Sequence, residues 1–411
     1  MTLLASQPDL IAGAPDRIAQ GTPALVHQRT EAWDHAHHMS PPSLQDEDWR
    51  RTDPRPYLAR LNRPLAGCTY KLPDGTHLPD GVHFSTLETS PVSHDTISLL
   101  ECPDPTNARY FTTLWKALHD TGTLLEIASG SVVDEPLRLN IHSTAPGAIH
   151  LPLVFIRVGA NASVTLTLHE HFSHDNMLVL GGTVIVLEDG ANLTLVQSTA
   201  AAPDVLLAGF HHVILGRDSS FEGTLLRSGG GSSKHYLDID LAGSGSTGII
   251  TALDLMSGSV HRDLQTLQLH RAPSTTSSFL VRNVVDDHAH SVYSGLIDVT
   301  EEAMKTDGYV QNRNLLLSRT AQADSVPRLE IKANDVKCGH GTTAGHVDHE
   351  QLFYLESRGI SRDVASRMII QGFLLEGCAH MRSPVARTEA EAFVNKFAPD
   401  AIASGAERSH G

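Results

Sequence analysis

The chain has 411 residues, of which 40% are hydrophobic, 19% charged and 5% aromatic, enough for two or three buried cores. Its 47 acidic and 31 basic side chains give a formal charge of -16, which repels a phosphate backbone and argues against a nucleic-acid partner. No apolar run reaches the roughly 18 residues of a spanning helix, and the opening Met1-Thr-Leu-Leu-Ala-Ser-Gln-Pro-Asp-Leu lacks a basic n-region and a long apolar core, so the expectation is a cytoplasmic protein without membrane contact.

Residues 1–108 are rich in Pro, Asp, Arg and His and read as an amino-terminal region of helices and loops. Within it, Pro42 to Leu58 predicts a helix, with Ser43 as N-cap, Asp46, Glu47 and Asp48 in the first turns and Pro54 as its stop. Residues 109–343 change texture to short alternating runs of Val, Ile, Leu and Thr, punctuated by Gly, Asn, Asp and Ser, the signature of strands and turns. Ala162-Ser-Val-Thr-Leu, Ala191-Asn-Leu-Thr-Leu and Ser219-Ser-Phe-Glu-Gly each follow a turn, and a related turn recurs at Gly243. A step of about 28 residues with several strands per unit predicts the stacked coils of a parallel β-helix. An evenly spaced β-sandwich is the rival, disfavoured because so few aromatics suit a narrow aliphatic core. Residues 344–411 turn helical: Asp348 with Gln351 starts one helix and Gly359 ends it, Ser361 caps a second through Phe373, and Arg382 to Gly411 reads as a polar, frayed end.

Cys68, Cys102, Cys338 and Cys378 are widely separated, with no C-x-x-C pair, so a disulfide framework, a zinc finger and a ferredoxin run are excluded. Lys337-Cys-Gly-His-Gly ends the last predicted strand; side chains two apart share a strand face, so the Cys338 thiol and the His340 imidazole project together, donors suited to iron or zinc. A lone strand-end cysteine is more often a small buried hydrophobe. Two ligands leave a tetrahedral site unfilled, so the rest would come from His346, Asp348, His349 and Glu350 or from a partner. His169 and His171, with His174 beyond a turn, fit a zinc site less well than a solvent-facing ladder. Gly243-Ser-Gly-Ser-Thr-Gly and Gly339-His-Gly-Thr-Thr-Ala-Gly lack the Gly-Lys-Ser/Thr ending of a phosphate loop, so the chain is not a P-loop ATPase.

The carboxy-terminal third carries an ordered set of motifs: His270-Arg-Ala-Pro-Ser-Thr-Thr-Ser, Ala303-Met-Lys-Thr-Asp-Gly, Gln311-Asn-Arg-Asn-Leu-Leu-Leu-Ser, Pro327-Arg-Leu-Glu-Ile-Lys-Ala-Asn-Asp-Val-Lys-Cys-Gly-His-Gly and Leu352-Phe-Tyr-Leu-Glu-Ser-Arg-Gly-Ile. Glu47-Asp-Trp-Arg-Arg-Thr-Asp and Leu114-Trp-Lys-Ala-Leu-His-Asp-Thr-Gly extend it upstream. Together these resemble the SufD family, subunits of the SUF iron-sulfur cluster assembly machine. The resemblance implies a right-handed parallel β-helix between helical ends, pairing with a SufB-like subunit through the β-helix, and a SufC-like ATPase docked on the carboxy-terminal helices. It also implies that His340 is an interface ligand of a transient, nascent cluster shared with the partner, with Cys338 in a lesser role. Leu352, Phe353, Tyr354, Arg358, Met368 and Phe373 are the expected partner-binding residues. Gly339, Thr342 and Ala344 depart from the family's Cys-Ser-His-Gly-Ala-Thr-Val-Gly, and Asn334 stands where an aspartate is common, but the histidine is kept. The expected role is a non-catalytic scaffold, with ATP hydrolysis in a separate chain. Flavin binding and a homodimer when alone stay open, and so do two rival readings, a secreted-type β-helix polysaccharide lyase or hydrolase and a SufB-like paralogue acting as a homodimer.

Overall fold

A computed structural model describes residues 11–87 and 110–397; Cys102, the first ten residues and the tail from 398 lie outside them. The described residues form a mainly β molecule, a parallel β-solenoid of about eight turns with helices at both ends. Its strands, β1–β20 in chain order, make two sheets. One runs β2 (Cys68–Lys71), β5 (Leu137–Ser143), β8 (Ser163–Phe172), β10 (Asn192–Ala201), β12 (Ser220–Gly229), β14 (Thr247–Met256), β16 (Thr276–Val285), β18 (Asp307–Leu316) and β20 (Lys337–His346). The other runs from β19 (Gln322–Ile331) back through β17 (His290–Val299), β15 (His261–His270), β13 (Ser233–Leu241), β11 (Leu206–Leu215), β9 (Leu178–Leu187), β7 (Leu153–Val158) and β4 (Thr123–Ile127) to β3 (Val82–Ser85).

The predicted period sets the register. Ser163 lies beside Asn192, Asn192 beside Ser220 and Ser220 beside Thr247, so equivalent residues of successive coils touch. The turn that enters each of β8, β10, β12, β14, β16 and β18 holds one residue of positive φ, at Asn161, Gly190, Asp218, Gly245, Ser274 and Lys305, and five of these six are Asn, Asp, Gly or Ser. Short polar side chains and glycine tolerate that left-handed geometry. The N–H of each turn residue donates to a carbonyl of the next turn, as in Asn161 to Asp189 and Asp218 to Ser244. Inside, like residues stack: Leu166 beside Leu195, Leu193 beside Phe221, and Phe279 between Ile250 and Val310. Each large aliphatic side chain so buried contributes about 1.5–3 kcal/mol.

The outer faces are covered as well. Helix α4 (Tyr110–Leu118), packed on α2 (Pro23–His38), lies against β9, with Trp115 donating Nε1–H to the Pro152 carbonyl at 3.0 Å. On the opposite sheet, α6 (Arg362–Cys378) and α7 (Pro384–Phe397) lie over β10 to β16, and Ile370, Leu374, Phe393 and Val394 join Val196, Leu226, Leu253 and Val284 in one apolar layer.

Three sequence expectations are corrected. Pro42 to Leu58 is not one helix: Asp46 takes the Ser43 N–H at 2.6 Å in a local turn, a 3-10 turn covers Glu47–Trp49, and Pro54 opens the short α3 (Arg55–Leu58) instead of ending a helix. The long amino-terminal helix is α2, with Thr22 accepting from the Leu25 N–H and Pro23 in the first helical position. The amino-terminal region also supplies strands, since β1 (Leu65–Ala66), β2 and β3 pair with solenoid strands. The polar stretch after Arg382 is helical to Phe397, because Ser383 Oγ accepts from the Ala386 N–H and Ala386, Ala390, Phe393 and Val394 bury one face.

Candidate functional site

The solenoid ends at an open face. β19 and β20 are the last strands of their sheets, so one edge of each is unpaired among the described residues. Lys337-Cys-Gly-His-Gly opens β20 instead of closing it. The register seats Cys338 on Gly308 and His340 on Val310, a core residue, so both side chains belong to the inward row of the last coil. With no further coil stacked on it among the described residues, His340 is exposed, whereas Cys338 is half-buried against the core. Across the end of the solenoid, Leu329 and Ile331 of β19 continue the rows of Ile297 and Val299 and are 38% and 41% exposed. Interior positions thus surface here, an apolar end with a histidine and a thiol on its rim.

The local glycines have distinct uses. A Cβ on Gly308 would meet Ile297 Cγ2 at 3.2 Å and stand at ordinary contact distance, 3.4 Å, from both Cys338 Sγ and His270 Nε2, so thiol and buried imidazole border the same position. His270 bonds Thr275 at Nδ1 and Ser277 at Nε2, and burial holds it down to about 4, a neutral ring. On the outer face, Tyr309 lies across Gly339 and Gly341; a Cβ at Gly341 would come 2.9 Å from its phenol oxygen. Burial, with the nearby Asp307 charge, pushes the Cys338 thiol above its ordinary range despite a backbone hydrogen bond from Gly308. It is therefore a thiol at neutral pH, and binding metal would release its proton.

The other suggested ligands are not brought to this pair. His346 is six residues further along β20, about 20 Å from His340 at a strand rise of about 3.3 Å, and Asp348 is spent capping α5 (His349–Ser357), where it accepts from the Glu350 N–H at 2.8 Å. Among the described residues no group of three or more His, Cys, Asp or Glu is placed to hold a metal ion. The His169 cluster is an outer ladder: His169 bonds Ser198 at 2.7 Å and His171 stacks on His142 with centroids 4.9 Å apart.

The six partner-binding candidates divide in two. Leu352 is buried, and Phe373 packs on the solenoid, where the fully buried Arg282 lies over its ring at 5.1 Å and donates to its carbonyl at 2.8 Å. Phe353, Tyr354 and Met368 are 71%, 57% and 47% exposed, and Arg358 stacks on Tyr354 and donates to its hydroxyl at 3.3 Å. Sequence reasoning missed Arg282 and Val364, which is 37% exposed one helical turn before Met368 on α6.

Comparison with known proteins bears on this geometry. Residues 141–373 match the family model described as "SUF system FeS cluster assembly, SufBD core domain". The chain is 33% identical to the iron-sulfur cluster assembly protein SufD of Escherichia coli (strain K12) over 319 residues, covering 74% of this chain and 73% of the relative. It is 27% identical to an iron-sulfur cluster assembly SufBD family protein of Mycobacterium leprae over 366 residues, covering 84% and 88%, and 28% identical to SufD of Bacillus subtilis over 279 residues, covering 64% and 61%. A solenoid that leaves an inward-row histidine and thiol at its open end, matched over more than half its length by the family's core domain, belongs to the SufBD family of iron-sulfur cluster assembly proteins and is of the SufD type.

Proposed function

We propose that this chain is a non-catalytic scaffold that builds nascent iron-sulfur clusters across an interface, pairing its open solenoid end with a SufB-like subunit and holding a SufC-like ATPase on its carboxy-terminal helices. The observation that carries this reading is the open end itself. Unpaired edges of β19 and β20 offer backbone donors and acceptors, Leu329 and Ile331 offer apolar surface, and His340 stands exposed beside them. His340 supplies a neutral imidazole ligand and Cys338 a second donor that deprotonates only on binding; the partner completes the ligand set. The cluster is cargo, handed on after assembly. The exposed Phe353 and Tyr354 of α5, Arg358 at its C-cap, and Val364 and Met368 of α6 support the ATPase surface, since exposed aromatic, aliphatic and guanidinium groups are the usual anchors of an interface. Membership of the family sets aside the polysaccharide-enzyme reading.

Co-expression of tagged variants with the SufB-like and SufC-like chains tests both surfaces. The Leu329→Asp/Ile331→Asp pair should lose the SufB-like chain and keep the ATPase, and Phe353→Ser/Tyr354→Ser should do the reverse. Retention of both partners by both variants contradicts the assignment, and a homodimer dispersed by the first pair would assign the open end to self-pairing.

A further inference from the structure

The solenoid interior is not apolar throughout. In β12 the inward row that carries Phe221 and Leu225 continues to Arg227, and in β14 the row of Ile250 and Ala252 continues to Asp254. Arg227 donates Nη2–H to Asp254 at 2.5 Å, and Arg262, from the facing sheet, donates Nη1–H to the other oxygen at 2.6 Å. All three side chains are at most 7% exposed, so two guanidinium groups share one carboxylate inside the protein. Arg262 spends Nη2 on the Gly229 carbonyl. Among the described residues, Arg227 Nε and Nη1 and Ser233 Oγ meet no hydrogen-bond partner. The next inward carboxylate along the stack, Glu170, is two strands away and accepts from Gln197 at 3.0 Å and Thr199 at 2.6 Å.

Arg227, Arg262, Ser233, His235 and Thr199 line a common cavity of about 10 Å³. That leaves room for one small guest and is too little for phosphate or sulfate. Gly229 and Gly231 also line it, from a Gly229-Gly230-Gly231 turn in which Gly229 is exposed, Gly229 and Gly230 have φ of +63° and +79°, and a Cβ at Gly231 would lie 2.3 Å from the Val205 carbonyl oxygen. A side chain is therefore excluded at Gly231 and strained by the backbone at Gly229 and Gly230. Burial first, and the Arg227 charge second, keep His235 neutral. A guanidinium keeps its charge at any physiological pH. Excess positive charge in a low-dielectric interior is costly, and water can satisfy N–H groups but cannot neutralise them.

We propose that the cavity between Arg227, Arg262 and Ser233 binds one monovalent anion of chloride or hydrosulfide size. The site is four strands in from β20, about 19 Å at the usual strand spacing of about 4.8 Å, and so is separate from His340. Bromide is the probe. Crystals of the full chain grown with bromide in place of chloride should show an anomalous peak between Arg227 and Ser233, and bromide should raise thermal stability saturably at constant ionic strength against gluconate. Ser233→Ala keeps every charge and should weaken the half-saturating concentration about fivefold. Arg227→Gln leaves Asp254 paired with Arg262 and should weaken it about tenfold or more. Displacement of the peak by anaerobic sulfide identifies hydrosulfide as the preferred ligand, and displacement by chloride alone identifies a halide site; both support the proposal. An ordered water with no anomalous signal, or equal bromide stabilisation of wild type and Ser233→Ala, overturns it.

Discussion

Arg282 bolts the carboxy-terminal helices to the solenoid, and its removal gives a local effect of calculable size. The guanidinium is fully buried, donates Nη1–H to the Phe373 carbonyl at 2.8 Å, pairs with Glu376 at 3.0 Å and lies over the Phe373 ring at 5.1 Å. The charge-assisted bond to the carbonyl is worth about 1.5–3 kcal/mol. Glu376 is 54% exposed, so solvent discounts that pair to about 1 kcal/mol at most. Stacking on the ring adds about 0.5–1 kcal/mol. Against these stands the desolvation relieved when the cation is removed, so Arg282→Ala should loosen α6 by about 2–3 kcal/mol and speed its amide exchange about 30- to 150-fold. Arg282→Met restores volume without the charge and should lose about half as much. Hydrogen exchange read peptide by peptide tests the reasoning: the increase should fall on Arg362–Cys378 and the adjoining α5 and spare β8 and β10. Unchanged exchange in α6, or an equal rise throughout the solenoid, would refute it.

A Cβ at Gly182 would sit 1.9 Å from the Trp115 ring, so Gly182→Ala should cost about 3 kcal/mol in urea unfolding, and Trp115→Leu in the same chain should recover most of it. Burial holds His211, His261 and His270 near 4, below the ordinary 6.5, and also pushes His235 well below that ordinary value. The unfolded chain therefore binds protons that the folded chain excludes, and stability, complete above about pH 6.5, should fall as pH drops toward 4, by up to about 1.4 kcal/mol per pH unit for each histidine. Urea midpoints from pH 7.5 to 5 check this, with a shallower slope in His211→Gln; flat midpoints contradict it. Gly341→Val should displace Tyr309 from the outer face of β20 while shifting the melting temperature little, because the group it meets is the free end of a 42%-exposed side chain.

The solenoid was legible because its coil length appears in the sequence as a repeat, and a period near 28 residues survives differences in side chains. The Cys338 and His340 pairing was legible because strand alternation puts residues two apart on one face. Their difference in exposure was not, since it depends on β20 being the last strand and on what lies beneath it thirty residues earlier. Arg227 and Arg262 were hidden for another reason. Helices cover the outer face of β12, so nearly every residue of that strand is buried and the alternation that separates interior from surface positions disappears. Helix α7 escaped notice because Ala386 and Ala390 bury a face too small to register as an apolar stripe. The apolar residues Phe353, Tyr354 and Met368 were visible as composition, but which of their neighbours point inward required the packing of α6 on Arg282.

The most direct test of the scaffold role is the iron and acid-labile sulfide content of the anaerobically purified complex of this chain with its SufB-like and SufC-like partners, wild type beside His340→Ala, with subunit stoichiometry measured on the same samples. His340 is exposed on the inward row of the last coil, so its truncation should leave folding and assembly nearly intact. The account predicts an intact complex that has lost most of its iron and sulfide, with a smaller loss in Cys338→Ala. Wild-type iron and sulfide in the assembled His340→Ala complex, or a loss wholly explained by missing subunits, would contradict it.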